Sequence, residues 1–233
     1  VLAVVGAAPA VAQSTAWPNK PVRIVVPFPA GGTTDVVARL LGQRLQEAWG
    51  QSVVVENKTG AGGNIGAAEV AKAANDGYTL LMASGSIVTV NPHIYAKMPF
   101  DAAKDFVPIT NVAQGPMVIV VAPNVTAKNI TELIAMAKAK PGVMNFGSAG
   151  IGSQVHMAGE NFLYTAGIDL KHVPYKGESL ALTDVAGGSV EMLPGNLAAM
   201  LPFIKAGKVK ALGVTSAERS PAAPEIPTVG ESG

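Results

Sequence analysis

The chain has 233 residues, enough for one large or two small domains, and 48% of them are apolar, which is sufficient for a sizeable core. Charged residues make up only 14% and the formal net charge is +1, which disfavours a nucleic-acid-binding protein because such proteins carry a concentrated basic surface. The sequence has no cysteine, so disulfides, thiolate metal sites and thiol nucleophiles are excluded.

The first residues indicate the compartment. Residues 1–8 are almost wholly apolar, and an A-x-A pattern ends at Ala12, directly before Gln13. This arrangement is typical of the end of a secretory signal peptide and its cleavage site, and it predicts a periplasmic protein. We interpret residues 1–16 as a signal-peptide remnant and the mature N-terminus; a frayed apolar end or a short first strand is the alternative. A transmembrane anchor is disfavoured because the apolar stretch is short.

From Pro21 onward, short apolar runs alternate with segments of helical periodicity, which is the pattern of an α/β fold. The elements predicted in the first half are a strand at 22–26, a helix after residue 32, a strand at 53–55, a helix at 65–74 and a strand at 78–83. This β-α-β-α-β order favours a parallel sheet with right-handed crossovers.

The second half has the same alternation. Its predicted elements are a strand at 117–122, a helix at 129–140, a strand at 144–147, a helix at 153–166, a strand at 171–175, a helix at 180–186, a strand at 190–193, a helix at 197–206 and a strand at 209–214. The two blocks indicate two lobes, each a mostly parallel sheet flanked by helices. The strands near 117–122 and 209–215 are expected to cross between the lobes.

These crossings give the expected domain organisation. We expect residues 17–121 plus 216–233 in the first lobe and residues 122–215 in the second. Past Arg219 the chain is Pro-rich and lacks a closing helix, so we expect a C-terminal truncation that leaves the first lobe incomplete.

The segment from Pro27 to Asp35 is the first candidate site, because a strand gives way to a helix there. Backbone N–H groups at a helix start, together with the positive end of the helix dipole, form an anion site. Gly31 and Gly32 let a ligand approach the backbone closely. The alternative is an ordinary Gly-rich turn in which a threonine caps the helix and Asp35 offsets its dipole.

A second Gly-rich segment, Gly147 to Ser153, also lies between a predicted strand and a helix, and it offers hydroxyls and free amides. Two helix N-termini, one from each lobe, would suit a ligand with two separated carboxylates. Lys176 follows a strand and is positioned to bind an anion, with a solvated turn lysine as the alternative. His156 lies one turn into the following helix and is more often a satisfied helix histidine than a cleft residue.

Catalytic and cofactor sites are weakly indicated. The glycines from Gly60 to Gly66 have the spacing G-x-G-x-x-x-G and not the G-x-G-x-x-G of dinucleotide-binding proteins, so a loop on the cleft rim is the better interpretation. The histidines His93, His156 and His172 show no metal-ligand spacing, and no G-x-S-x-G nucleophile motif occurs. We therefore expect no enzyme, no cofactor and no metal; a nicotinamide-dependent α/β enzyme is the less favoured alternative.

With these motifs on hand, the sequence resembles the Bug-type receptors, which are the substrate-binding proteins of tripartite tricarboxylate transporters. The resemblance covers nearly everything from Trp17 to Gly233. Its marks are WPNKP at 17–21, VVPFPAGG at 25–32 with Asp35, VENK at 55–58, GAGGNIG at 60–66, DGYTL at 76–80, VPYKG at 173–177, GKVKAL at 207–212 and PTV at 227–229 with Glu231.

The resemblance implies a two-lobed periplasmic binding protein fold of the type II kind, which closes on a small organic carboxylate. Family ligands include di- and tricarboxylic acids, acidic amino acids and aromatic acids, held largely by loop amides and ordered water. The implied partners are the membrane subunits of the transporter, with no nucleic acid and a monomeric receptor. A receptor that presents its closed form to a membrane sensor kinase is the alternative.

The ligand-binding residues expected from the motifs and the resemblance lie in five loops: Phe28, Ala30, Gly31, Gly32, Thr33, Asp35, Ser84, Ser86, Ser148, Gly152, Ser153, Gln154, Tyr175, Lys176, Gly177 and Asn196. One of these loops departs from the family pattern. Where the family often has an aromatic residue followed by an acidic or small polar one, Pro194-Gly195-Asn196 stands here. This difference affects the contact from that loop and therefore the choice of ligand.

Overall fold

The computed structural model describes residues 17–232, which form two sheets flanked by helices. The predicted signal-peptide remnant at 1–16 lies outside the described residues. Within residues 17–232, no helix has the length and apolar character needed to cross a membrane. The α/β architecture with two sheets confirms the predicted fold class.

The first sheet has three parallel strands in the order β2-β1-β3: β1 (Val22–Val26), β2 (Val53–Asn57) and β3 (Thr79–Leu81). Its helices are α1 (Thr33–Trp49), α2 (Asn64–Ala71), α3 (Gly85–Thr89) and α4 (Asn91–Ile94), with a 3-10 turn at Ala61–Gly63 before α2. The β-branched residues of β1 are buried because helices cover both faces of a parallel sheet. Ile24 packs in one core cluster with Ala38, while Phe28 lies in a second cluster with Ala67.

The second sheet has five strands in the order β6-β5-β7-β4-β8: β4 (Met117–Val121), β5 (Asn145–Ser148), β6 (Lys171–Pro174), β7 (Met192–Asn196) and β8 (Lys210–Val214). Strand β5 runs parallel to β6 and β7, whereas β4 runs antiparallel to both β7 and β8. The sheet is therefore parallel at one end and antiparallel at the other.

Four helices accompany the second sheet: α5 (Ile130–Ala139), α6 (Gln154–Ala166), α7 (Glu178–Ala186) and α8 (Leu197–Lys205). A short 3-10 turn, Gly230–Ser232, closes the described chain. The large core of this part contains the fully buried side chains Ile119, Phe146 and Met200. Burial of such side chains is the main favourable term in its stability.

The structure places two segments differently from the expected boundary. Residues 117–121 form β4 inside the five-stranded sheet, next to β8. The chain after β8 also stays with this sheet, because Val214 pairs with Thr228, and Ala223 and Ile226 are buried in its core. The apolar side chains of both segments are buried against the second sheet and not against the first. We therefore propose that the division between the lobes falls between residues 116 and 117.

Candidate ligand-binding site

The cleft lies where the carboxyl ends of strands from the two sheets face each other, the usual ligand position in open α/β sheets. Hydrogen bonds join the two sides: Thr33 Oγ1 donates to Glu178 Oε2 at 3.2 Å, Ser84 Oγ donates to Gln154 Oε1 at 3.2 Å, and the Tyr95 hydroxyl donates to the Ile151 carbonyl at 2.9 Å. The two lobes are thus in contact, as expected of a closed cleft.

The loop between β1 and α1 presents backbone to this cleft. Ala30 and Gly31 are exposed, and Gly31 has a φ of +79°, a conformation that favours glycine. Gly32 is the N-cap of α1. Because glycine has no side chain, no side-chain hydrogen bond from the N-cap residue caps this helix. The alternative in which a threonine caps α1 is therefore wrong. Backbone N–H groups at a helix start without such a cap attract an acidic group.

Asp35 lies beneath this loop. It is only 2% exposed, and its carboxylate accepts hydrogen bonds from the Gly31 backbone N–H (2.9 Å), Asn57 Nδ2 (2.9 Å) and Arg39 Nε (3.0 Å). Burial opposes ionisation of Asp35, but the hydrogen bonds from Arg39, Gly31 and Asn57 outweigh it and hold its pKa below the usual value. The structure therefore places Asp35 as a residue that shapes the loop.

Two further residues brace the same loop. Asn57 Nδ2 also donates to the Phe28 carbonyl at 2.9 Å, which links β2 to the loop. The Phe28 side chain is 8% exposed and packs in the core with Ala67 and Ile87. The predicted residues of this loop thus differ in their surroundings: Ala30 and Gly31 are exposed, Gly32 is buried, and Thr33 contacts Glu178 of the second lobe. Phe28 and Asp35 support the loop from within.

The loop before α3 meets the start of α6 across the cleft. Ser84 Oγ lies 3.2 Å from Ser86 Oγ as well as from Gln154 Oε1. A Cβ on Gly85 would lie 2.9 Å from Gln154 Nε2, so the two segments are in direct contact. The structure thus brings together three predicted residues from opposite lobes.

The serines of the Gly147–Ser153 segment have their hydroxyls occupied. Ser148 is fully buried, its Oγ lies 2.6 Å from His172 Nε2, and it accepts the Gly150 backbone N–H at 3.1 Å. Ser153 caps α6 by accepting the His156 backbone N–H at 3.1 Å. These hydroxyls hold the shape of the segment because they engage the backbone N–H groups of Gly150 and His156.

Two stacked imidazoles lie under this segment. The rings of His156 and His172 are 4.0 Å apart, and His172 also stacks on Phe146 at 4.9 Å. Burial, and then the proximity of His156, lower the pKa of His172 to about 4, so it is neutral at neutral pH. His156 Nδ1 accepts the Gly152 backbone N–H at 3.2 Å, which confirms its interpretation as a satisfied helix histidine.

A cavity of about 170 Å³ opens between the lobes. The first lobe contributes Gly60–Gly63 and Tyr95, and the second contributes Ala149–Ile151 and Pro174–Lys176. The Gly60 loop therefore lies at the cleft, as predicted for a rim loop. Lys176 lines this cavity together with Tyr175.

The Tyr175 hydroxyl points away from a ligand, since it donates to Asp184 Oδ2 at 2.6 Å. Burial and the Asp184 carboxylate raise the pKa of Tyr175 to about 12. The neighbouring Gly177 contacts the first lobe directly, because a Cβ there would lie 2.3 Å from Pro29 Cδ. Tyr175 therefore lines the cavity with its hydroxyl already engaged, and Gly177 lies at a direct contact between the two lobes.

Glu178 is a cleft residue that the sequence interpretation missed. It is 6% exposed, and it accepts hydrogen bonds from the backbone N–H and Nδ2 of Asn196 and from Thr33 Oγ1. Burial raises the pKa of Glu178, and the hydrogen bonds from Asn196 and Thr33 offset only part of that effect. The predicted contact residue Asn196, at the end of β7, is thus engaged by Glu178. A glutamate at a helix start directly after the VPYKG mark was the available signal.

Asn91 is the second residue that the sequence interpretation missed. It is fully buried, and its Nδ2 donates to the Gly62 carbonyl (3.1 Å) and to Asn64 Oδ1 (2.7 Å). Within residues 17–232, its Oδ1 has no hydrogen-bond partner, and a Cβ on Gly152 would lie 2.6 Å from it. Asn91 therefore supports the Gly60 loop where the two lobes touch. Across the same residues, no group of three or more His, Asp or Glu is arranged to hold a metal ion.

The chain is similar to known proteins over most of its length. It matches the family described as "Tripartite tricarboxylate transporter family receptor" over residues 37–233. It is 40% identical to protein BugT of Bordetella pertussis (strain Tohama I) over 233 residues, covering 100% of this chain and 71% of BugT. It is 41% identical over 217 residues to the protein in the tcbD-tcbE intergenic region of Pseudomonas sp. (strain P51), covering 93% of this chain and 64% of that protein. The chain thus spans about two thirds of the length of these relatives.

Solved structures agree with this similarity. The R. palustris protein Rpa4515 with adipate is 39% identical with a TM-score of 0.91, and the match covers 93% of this chain and 73% of that one. The periplasmic binding protein BugD is 37% identical with a TM-score of 0.86, covering 93% and 72%. MatC from Rhodopseudomonas palustris with bound malate is 30% identical with a TM-score of 0.85, covering 93% and 74%.

The family match covers residues 37–233, and the identity to BugT extends over the full chain. The nicotinamide-enzyme alternative finds no support in these similarities. The chain belongs to the tripartite tricarboxylate transporter receptor family, whose members are receptors and not enzymes.

Proposed function

We propose that this protein is a periplasmic solute receptor that closes its two lobes on a small organic carboxylate and delivers it to a tripartite tricarboxylate transporter. The observation that carries the proposal is that Gly-rich loops from the two lobes meet at one cleft. Ala30–Thr33 come from the first lobe, and Ala149–Ile151 come from the second. Backbone N–H groups at helix starts bind carboxylates through charge-assisted hydrogen bonds.

The relatives support the ligand class. Rpa4515 was solved with adipate and MatC with malate, both of which carry carboxylates. The periplasmic assignment is supported by BugD and by the A-x-A pattern before Gln13. Hydrogen bonds between the lobes, such as Ser84 to Gln154, favour the closed form. A ligand that binds both lobes shifts the population toward that form.

A thermal-shift screen tests the proposal. The purified protein is heated with a panel of organic acids and with nucleotides, because a ligand that binds the folded state at 100 times its Kd stabilises it by about 2.7 kcal/mol. We expect a rise in Tm with at least one carboxylate and none with nucleotides. A shift with a dinucleotide alone would overturn the receptor assignment. Delivery is then measured as uptake of the labelled acid by cells with and without the membrane subunits.

A further inference from the structure

Glu178 is an acidic side chain that spans the two lobes at the cleft. It begins α7 in the second lobe, yet Oε2 accepts from Thr33 Oγ1 of the first lobe at 3.2 Å. Asn196 Nδ2 donates to both carboxyl oxygens at 3.0 Å, and the Asn196 backbone N–H donates to Oε1. With 6% exposure, this carboxyl group is enclosed by the closed cleft.

The carboxyl group of Glu178 lies where helix starts converge. Helix α1 begins at Thr33 and α8 begins at Leu197, and neither has a side-chain cap from its own N-cap residue. Burial raises the pKa of Glu178, and the backbone N–H groups of Asn196 and Thr33 offset part of that effect because they stabilise the ionised form. Orphan N–H groups at helix starts attract an acidic group. The chain itself therefore supplies the acidic group at this position.

We propose that Glu178 fills one of the two anion positions of the cleft and makes this receptor selective for acids with a single carboxylate over the matching dicarboxylates. The inference rests on the proposed function. The partners of Glu178 are Asn196 and Thr33, which are uncharged, so nothing in its contacts compensates a second negative charge. Two carboxylates sharing a buried site repel each other, and an unpaired buried charge is strongly unfavourable.

The remaining anion position then belongs to the ligand. The cavity between Gly60–Gly63 and Ala149–Ile151 presents glycine-rich backbone and lies beside Lys176. A monocarboxylic acid bound there carries no second charge that would have to be placed near Glu178. A diacid would have to place its second carboxylate in solvent or displace Glu178 from Thr33 and Asn196.

Calorimetric titration with matched acids tests the inference. The pairs are hexanoate with adipate and benzoate with terephthalate, and each is titrated into the full chain. In the wild type we expect the monoacid of a binding pair to have a Kd at least tenfold lower than its diacid. Glu178→Ser removes the carboxyl group and opens space, and is expected to raise the relative affinity for the diacid at least tenfold. Glu178→Gln, which keeps the volume, is expected to raise it about threefold.

A matched control is Glu225→Ser, which removes an exposed carboxylate outside the cleft and is expected to leave the ratio unchanged. A wild-type preference for the diacid overturns the inference whatever the variants do, and leaves the proposed function standing. A monoacid preference that Glu178→Ser and Glu178→Gln leave unchanged also overturns the role of Glu178. Binding of no acid from either pair or from the wider panel overturns the proposed function, and this inference with it.

Discussion

Pro29 of the first lobe packs directly against Gly177 of the second, so that a Cβ on Gly177 would lie 2.3 Å from Pro29 Cδ and 2.5 Å from Pro29 Cγ. Gly177 has a φ of 171°, an extended conformation that any residue adopts. Its backbone therefore does not require glycine. The close approach of the two lobes requires it, because a proline ring cannot move aside as a flexible side chain can.

This contact predicts that Gly177→Ala impairs closure and leaves each lobe folded. We expect at least a tenfold loss of ligand affinity by calorimetry, with little change in the Tm of the unliganded protein. Gly187→Ala is the matched control, since Gly187 ends the same helix with a φ of −79° and its nearest atom would lie at 3.4 Å. Equal affinities of the two variants would show that the Pro29 contact is not needed for binding.

The loop amides predict the effect of a bulky residue at Gly32. A Cβ there would find its nearest atom, the Pro29 carbonyl oxygen, at 3.5 Å, so Gly32→Leu fits the backbone. Its side chain would lie next to Thr33, which contacts Glu178 of the second lobe, so it would obstruct closure. We expect binding of the carboxylate to be lost while the circular dichroism spectrum is kept. Gly115→Leu, at an exposed glycine with open space around it, is expected to bind as the wild type does. Unchanged affinity in folded Gly32→Leu would contradict a role of this loop in the closed cleft.

The network beneath the loop predicts that Asp35→Asn weakens both stability and binding. The carboxylate loses charge-assisted hydrogen bonds to Arg39 and to the Gly31 N–H, which are worth about 1.5–3 kcal/mol each. We expect urea unfolding to show a loss of that order, together with weaker ligand binding. Glu47→Gln removes an exposed acid from the same helix and should change stability by less than about 0.5 kcal/mol. A loss of stability without any loss of ligand affinity would show that Asp35 contributes to folding stability and not to binding.

His172 predicts a pH dependence of stability. Its pKa of about 4 in the folded state lies below the ordinary value of 6.5, so the unfolded state binds more protons between these values. The contribution of His172 is therefore fully present above pH 6.5 and is lost as the pH falls toward 4, by up to about 1.4 kcal/mol per pH unit.

Urea unfolding at pH 7.5, 5.5 and 4.5 measures this slope in the wild type and in His172→Gln. The slope is expected to be smaller in the variant, because glutamine does not titrate. His93→Gln, at an exposed histidine, serves as the control and should keep the wild-type slope. If His93→Gln and His172→Gln lose the slope equally, the low pKa of His172 is not its source.

The hydrogen bond between Ser84 and Gln154 predicts coupling between the lobes during binding. Ser84→Ala and Gln154→Ala each remove one partner of a 3.2 Å contact, and each is expected to weaken ligand affinity a few-fold. Both substitutions remove the same contact. The double variant should therefore lose less binding free energy than the sum of the two single losses, with a coupling energy of about 0.5–1.5 kcal/mol. Strictly additive losses would mean that this contact does not form in the ligand-bound state.

Local patterns determined much of the fold from the sequence alone. The β-branched run at 22–26 and the stripe that begins at Val36 gave the first strand and helix, because burial on a sheet and along a helix imposes fixed periods on apolar residues. The Gly-rich turn at Gly31 and Gly32 was predicted to bind an anion because a strand gives way to a helix there. Periodicity also separated the two α/β blocks.

Only the tertiary structure decided which side chains meet. Thr33 and Glu178 are 145 residues apart in the sequence, and no local pattern pairs them. Asp35 was expected among the ligand-binding residues. The structure makes it a support of the loop, because Arg39, Asn57 and the Gly31 N–H enclose its carboxylate. Residues 117–121 were expected in the first lobe, yet their apolar side chains are buried in the second sheet. Periodicity reports that a residue is buried, whereas its partner depends on how distant segments fold against each other.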